Sequence, residues 1–272
     1  MNLKNCTTDK LFSRLLENKT NKNAWLYIGE LFKRPTEAVF QKCLQLTQSD
    51  DIKERIIGVD VLSQLGSDKR PFQKETVVLL FEMLQKEDNP KILRTILSAI
   101  GHNSERLTSI FIKQLEKYKE NRNSDIRFGL VMALLHCKHK NAEDILIFLS
   151  KDKHSDIRDW ATFSIGSISE SNDPKLLAAL WDKVNDKDED TRFEAFVGLA
   201  KRKQVEIKKN ILNELETGNF GSLIFDAIKK LNDKDFLPHL EIILSEIKHD
   251  DMIDSGWITD LEECIVVLKK IE

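Results

Sequence analysis

The stretch DIRDWATFSIG, residues 156–166, has two close copies elsewhere in the chain: DIRFGLVMALL at 125–135 and DTRFEAFVGLA at 190–200. Their arginines stand at positions 127, 158 and 192, so the copies are 158 − 127 = 31 and 192 − 158 = 34 residues apart. A repeat of this length is typical of stacked helix pairs, each of which needs its neighbours to bury its apolar face. The repeat therefore predicts an all-α fold, an α-solenoid.

Helical periodicity and helix-breaking residues extend the repeat to eight predicted pairs. Asn89-Pro90 and Asp173-Pro174 each place a capping side chain before a proline that suits the first helical position. The predicted pairs are 8–18 with 22–33, 35–48 with 51–65, 72–86 with 90–101, 105–120 with 125–137, 142–150 with 156–169, 174–185 with 190–203, 205–217 with 220–231, and 236–248 with 255–271.

Length and composition suit one continuous array. The 272 residues are 41% hydrophobic and 32% charged, which is enough to fill a core and solvate a surface. A repeat array grows in one dimension, so a chain of this length does not need to divide its core. We expect a single domain over 1–272, with 1–34 and 235–272 as its N-terminal and C-terminal caps.

Charge and cysteine content indicate a cytoplasmic protein. Lys and Arg number 42 against 45 Asp and Glu, so the whole chain offers no general attraction to phosphate backbones or anionic lipid. Cys6, Cys43, Cys137 and Cys264 are scattered without metal-ligand spacing, as is usual for reduced, buried cysteines. No apolar run reaches the roughly 18 residues of a membrane span. We expect no membrane association and a monomer.

Three segments carry a family resemblance: HSDIRDWATFSIGSI at 154–168, DPKLLAALWDKVNDKDEDTRFEAFVGLAKRK at 173–203 and LNDKDFLPHLEIIL at 231–244. They resemble the bacterial HEAT-like repeat proteins of the type first named after phycobilisome lyases. Weaker copies over 50–137 extend the resemblance to about three quarters of the chain, by the repeat criterion. It implies a helical-repeat architecture, but no residue matches a bilin-handling site, and a shared solenoid hosts unrelated activities.

Each close copy also carries an Asp two residues before its Arg. Catalysis needs one constellation, whereas every interface between repeats needs its own bond, so a motif repeated in one helical slot indicates a structural ladder. We expect the Asp to cap its helix or lie in the first turn, and the Arg to reach the Asp or a loop carbonyl of the adjacent repeat. The ladder comprises Asp125, Arg127, Asp156, Arg158, Asp190 and Arg192.

An apolar ridge is predicted on the outward side of the second helix of each pair. Two interpretations stay open: the side chains pack against each other in a tightly curved stack, or they line a groove whose Phe and Met anchors bind a partner. The predicted partner-binding residues are Phe128, Met132, Phe163, Phe193, Phe196 and Phe225.

No nucleotide-binding loop or nucleophile motif is present, and the six histidines do not recur at one repeat position, so we expect no enzyme activity, cofactor or metal. The favoured function is a non-enzymatic scaffold that binds a protein partner. One alternative is nucleic-acid binding as in the alkylpurine DNA glycosylases, for which Asp159 lies beside Trp160, with Trp181 and Trp257 also available. Another is a dedicated binder that neutralises one protein such as a toxin.

Overall fold

The computed structural model describes residues 3–18, 23–67, 69–218, 220–247, 250 and 252–271. In these residues it contains sixteen α-helices and no β-strand, which confirms the all-α prediction. The helices are α1 Thr8–Glu17, α2 Ala24–Phe32, α3 Glu37–Thr47, α4 Ile52–Ser63, α5 Gln73–Lys86, α6 Pro90–Gly101, α7 Ser109–Leu115, α8 Ser124–Leu134, α9 Lys140–Leu149, α10 Ser155–Phe163, α11 Pro174–Trp181, α12 Glu189–Lys201, α13 Lys208–Thr217, α14 Leu223–Leu231, α15 Leu237–Ile247 and α16 Ser255–Lys269.

These helices occupy the eight predicted pairs, and local capping explains where they begin. The side chains of Asn89 and Asp173 accept hydrogen bonds from the backbone amides of the first helical turn, with a proline at the start of each helix. Two predicted helices are less regular than expected. The fourth pair begins only at α7 and continues as a 3-10 turn, Glu116–Tyr118, and α10 continues as a π-helical segment, Ser164–Ile168.

Contacts between helices divide the chain into two compact units, residues 1–142 and 143–272. In unit 1, α2, α4, α6 and α8 contact one another in chain order, with α1, α3 and α5 packed against them. In unit 2 the same order holds for α10, α12, α14 and α16, with α11, α13 and α15 packed against them. We call the even-numbered helices of a unit its second-helix layer.

Glycine lets neighbouring second helices approach closely. In unit 2, a Cβ atom built on Gly198 of α12 would lie 2.6 Å from the Cα atom of Gly166 in the π-helical segment. In unit 1, a Cβ atom on Gly101 would lie 2.3 Å from the carbonyl oxygen of Met132 on α8. Any larger side chain at these positions would separate the two helices, because real Cβ atoms do not come so near to a backbone.

The π-helical segment ends on a half-buried cation that follows the neighbouring helix. Arg202 follows α12 and donates hydrogen bonds of 2.7–2.9 Å to five carbonyl oxygens. Four of these belong to residues 165, 166, 169 and 171, in or just after the segment, and one to Gly198. The end of a helix leaves carbonyl groups without helical partners, and this guanidinium satisfies them.

Candidate functional site

The repeated arginines bond within the fold. Arg158 is buried and forms a bidentate ion pair with Asp186, at 2.9 Å to Oδ2 and 2.7 Å to Oδ1. Its Nη1 donates to the carbonyl oxygens of Asp152 and Lys153. The hydrogen bond to Asp186 raises the pKa of Arg158. Burial alone would raise the pKa of Asp186, but the bonds from Arg158 and the Asp188 amide outweigh it and lower that pKa.

Two other arginines make the same pattern of bonds. Arg192 donates to Glu214 at 2.8 Å and to the carbonyl oxygens six and five residues before it, and Arg55 does the same with Glu87 at 3.1 Å. Arg127 likewise donates to the carbonyl oxygens of residues 121 and 122. In each case these carbonyls belong to the loop before the arginine's own helix. The prediction that the arginines reach a loop carbonyl of the adjacent repeat was wrong, because their carbonyl partners lie in their own pair, and for Arg158 and Arg192 the next pair supplies a carboxylate instead.

The aspartates of the repeated triplets have a different setting. The first turns of α8, α10 and α12 hold Asp125, Asp156 and Asp190, which are all exposed. The helix dipole stabilises a negative charge at this end of a helix. Asp125 pairs at 3.3 Å with Arg94, and both side chains are about half exposed. The three aspartates therefore do not pair with the arginines two residues after them.

Half of the predicted partner-binding residues are buried. Phe193 and Phe196 are each 1% exposed and Phe225 is 0% exposed, so for them the prediction of partner contact was wrong. Phe193 and Phe196 pack with ring centroids 5.8 Å apart, and Phe225 packs against Trp257 at 5.0 Å. Phe196 lies four residues after the repeat arginine, a slot that is core in every close copy.

The other copies show this directly, because Val131 and Thr162 hold the same slot and are both 0% exposed. Phe163 and Met132 lie one residue further on and are half-buried, as is Phe128 in unit 1. Phe128 has the guanidinium of Arg94 over its ring, 5.6 Å from the centroid. Three predicted anchors thus keep some exposed surface, two in unit 1 and one in unit 2.

Phe163 forms an exposed aromatic pair with Trp160 on α10. Their rings meet edge to face with centroids 5.7 Å apart, and Trp160 is 38% exposed. The two residues are three apart and therefore share one side of the helix. Asp159 lies four residues before Phe163, on the same side. We call Trp160 and Phe163 the aromatic pair.

Carboxylates from three helices of the second-helix layer of unit 2 lie close enough to interact electrostatically with Glu194. Asp159 comes from α10, Asp190 and Glu194 from α12, and Asp226 from α14, and we call these four the acidic face. Asp226 pairs with Lys229 at 2.9 Å. Within the described part of the chain, no Lys, Arg or His forms an ion pair with the other three.

The fold disfavours the ionised forms of the two inner carboxylates. Burial raises the pKa of Glu194 to about 7, and the charges of Asp159, Asp190 and Asp226 act in the same direction. Burial also raises the pKa of Asp159 to about 6, with contributions from Asp190, Asp188 and Asp156. Carboxyl groups with shifted pKa values are typical of functional sites, and of these two Asp159 is half-buried and Glu194 is buried.

A residue of the π-helical segment donates a hydrogen bond to Glu194. Ser167 Oγ donates to Glu194 Oε2 at 2.7 Å, and Glu194 is 7% exposed. A π-helical turn of this kind is frequent near functional sites, since it alters the direction of the side chains that follow it. Here it places a hydroxyl against a carboxylate that has no other side-chain donor.

The sequence pattern indicated Asp159, beside Trp160, but not its proximity to Glu194. The two residues are 35 positions apart and lie on different predicted helices. Only the contact of α10 with α12 brings these helices together. A signal was available in the spacing, because Asp159, Glu194 and Asp226 recur at about the repeat period on second helices.

Three other kinds of site have little support in the described residues. No group of three or more His, Cys, Asp or Glu side chains there is arranged to hold a metal ion. In unit 1 a cleft of about 200 Å³ lies beside Arg55 and Glu87, but these two charges neutralise each other. None of the described helices combines the length and apolar character that a membrane crossing requires.

Comparison with known proteins bears on the architecture. No model of a known protein family matches the chain. It is similar to the protein YibA of Escherichia coli K12 and of E. coli O157:H7, each 22% identical over 256 residues that cover 93% of this chain and 90% of YibA. The X-ray structure of E. coli YibA superposes with a TM-score of 0.74 at 22% identity, over 98% of this chain and 94% of the other. The shared fold is that of a helical repeat protein.

Proposed function

We propose that this chain is a non-enzymatic, protein-binding HEAT-like repeat protein of the bacterial cytoplasm, whose helix pairs form an α-solenoid. The observation that carries the proposal is the aromatic pair, which leaves a tryptophan 38% exposed on a second helix of unit 2. Large aromatic side chains are the commonest anchors of protein interfaces. The repeat fold holds such a pair on rigid helices, which suits it to recognition.

The packing within each unit supports the HEAT-like interpretation. Second helices contact second helices in chain order, and Arg55, Arg158 and Arg192 each bond an acid on the first helix of the next pair or in the loop after that helix. Such nearest-neighbour bonding is typical of solenoids. It also assigns the repeated arginines to stability and leaves the exposed surface of the second helices for binding.

Electrostatics favours a protein partner over nucleic acid. A surface that binds a duplex needs clustered Lys or Arg to neutralise phosphates, and the acidic face beside Trp160 would repel them. The resemblance of Asp159-Trp160 to the DNA glycosylase arrangement therefore lacks the basic surface that this activity requires. A binder dedicated to one partner, such as a toxin, is compatible with the same surface and differs only in the number of partners.

The test compares two double variants of the chain as bait in nuclease-treated host extract. Trp160→Ala with Phe163→Ala removes the aromatic pair. Val205→Ala with Ile242→Ala is the matched control, because these exposed residues, 64% and 58%, lie in unit 2 outside the second-helix layer. We expect a protein retained by the wild type and the control but lost with the aromatic variant.

That protein is then purified and titrated against all three chains. The proposal predicts that the aromatic variant binds at least about tenfold more weakly, the usual effect of removing an anchor residue. Equal affinity for all three chains, or retention that disappears on nuclease treatment, would refute it.

A further inference from the structure

The chemistry of the partner follows from the charges that surround the aromatic pair, an inference that rests on the proposed function. Asp159 and Phe163 lie one helical turn apart, and Glu194 reaches the same region from α12. A partner that covers Trp160 must therefore also cover carboxylates. No described cation pairs with Asp159, Asp190 or Glu194, so that charge is unbalanced in the free protein.

Few groups within the fold stabilise the ionised form of Glu194. It is 7% exposed, Ser167 bonds one of its oxygens, and the other has no protein donor among the described residues but is not fully enclosed. Burying an ionised carboxylate with so few donors is costly. Asp159 is the fifth residue of α10, and Glu194 is the sixth residue of α12. Both lie beyond the first helical turn, where the helix dipole stabilises acidic side chains.

We propose that the acidic face and the aromatic pair together bind a basic segment of the partner protein, with a Lys or Arg side chain placed against Asp159 and Glu194. The cation supplies the donors that Glu194 lacks, and a guanidinium pairs with a carboxylate through two parallel hydrogen bonds. Trp160 contacts the stem or the charged plane of the same or a neighbouring basic side chain, as in a cation–π contact. Hydrophobic anchoring and charge complementarity then act on one segment.

Binding of this kind is sensitive to pH. The groups that face Glu194 are Asp159 from α10, Ser167 from the π-helical segment, Asp190 on its own helix and Asp226 from α14, and Lys229 is paired with Asp226. A cation binds the ionised carboxylates, so its affinity rises with pH as Asp159 and Glu194 lose their protons. The pKa values of about 6 and about 7 place this rise between roughly pH 5.5 and pH 8.

The experiment measures the affinity of an arginine-rich peptide by calorimetry at about pH 8 and about pH 5.5, with a glutamate-rich peptide of equal length for comparison. Asp159→Asn with Glu194→Gln removes the two inner charges without changing side-chain shape. The matched control is Glu216→Gln with Glu246→Gln, which removes two exposed charges from α13 and α15. Thermal melts of all chains establish that each is folded.

At pH 8 we expect the charge variant to bind the arginine-rich peptide about tenfold more weakly than the wild type and the control, the effect of a close charge pair. At pH 5.5 the wild type should bind as weakly as the variant. Equal affinity of the wild type and the charge variant at pH 8, or equal binding of the glutamate-rich peptide, overturns the inference. Either outcome leaves the aromatic-pair titration intact, so failure here is distinct from failure of the proposed function.

Discussion

At the scale of single residues, one sequence motif has two unrelated roles. Arg158 and Arg192 are held between backbone carbonyls and a carboxylate of the next pair, as Arg158 is by Asp186. The aspartates two residues before them lie in the first turns of their helices and face water. The repeated Asp-x-Arg triplet therefore combines an exposed helix-start residue with a buried tie between pairs.

This difference in burial leads to a prediction for Arg158→Ala. The variant removes the guanidinium from two carbonyl oxygens and from Asp186, which is 9% exposed and keeps only the Asp188 amide and Lys183 at 3.6 Å. Removing one partner of a buried pair costs about 3 kcal/mol or more of the free energy of unfolding. Arg94→Ala is the matched control, because its pair with Asp125 is about half exposed and should cost less than about 1 kcal/mol. Urea denaturation measures both, and similar costs would contradict the prediction.

At the scale of helices, the approach of α10 to α12 shapes the candidate site. Gly166 and Gly198 allow the close crossing, and the π-helical segment at the crossing directs Ser167 to Glu194. Arg202 then satisfies the carbonyl groups at the end of the segment. The position of Asp159 relative to Glu194 therefore depends on backbone packing several residues away from either carboxylate.

Gly198→Ala tests this crossing. The added methyl group would lie 2.6 Å from the Cα atom of Gly166, so the helices must separate, at a cost of about 1–3 kcal/mol in the free energy of unfolding. Gly29→Ala is the control, since Gly29 lies inside α2 with no atom within 4 Å of the added group. There alanine should stabilise the helix by up to about 1 kcal/mol. Chemical denaturation of the two variants should give opposite signs, and a stabilising Gly198→Ala would show that the crossing is not tight.

At the scale of the whole molecule, buried carboxyl groups in both units link folding to pH. Burial raises the pKa of Asp60 in unit 1 to about 7, as it does for Glu194 in unit 2. When the pKa of a carboxyl group is higher in the folded than in the unfolded state, the group contributes its full stabilisation only at pH values below its unfolded-state pKa. That contribution is lost as the pH rises through the folded value.

Glu194→Gln isolates one of these groups. The wild type loses stability relative to the variant as the pH rises from about 4.5, the ordinary value for Glu, to about 7, because only the wild type acquires a buried charge. The loss is of the order of 3 kcal/mol, from the size of the shift in pKa. Unfolding curves between these pH values measure it, with Glu216→Gln as an exposed control that should show no such change. A difference that does not vary with pH would refute the prediction.

The sequence by itself determined the all-α fold, the eight helix pairs and nearly all of their boundaries, because periodicity, capping residues and prolines act over three or four residues. It also identified the repeating arginines. Only the tertiary structure decided which repeated slots are reachable: Asp159 and Phe193 each follow a repeat arginine, yet one is half-buried and the other is core. Exposure and the assembly of Asp159, Glu194 and Asp226 depend on how neighbouring helices cross, and that crossing is set by contacts between residues about 30 positions apart.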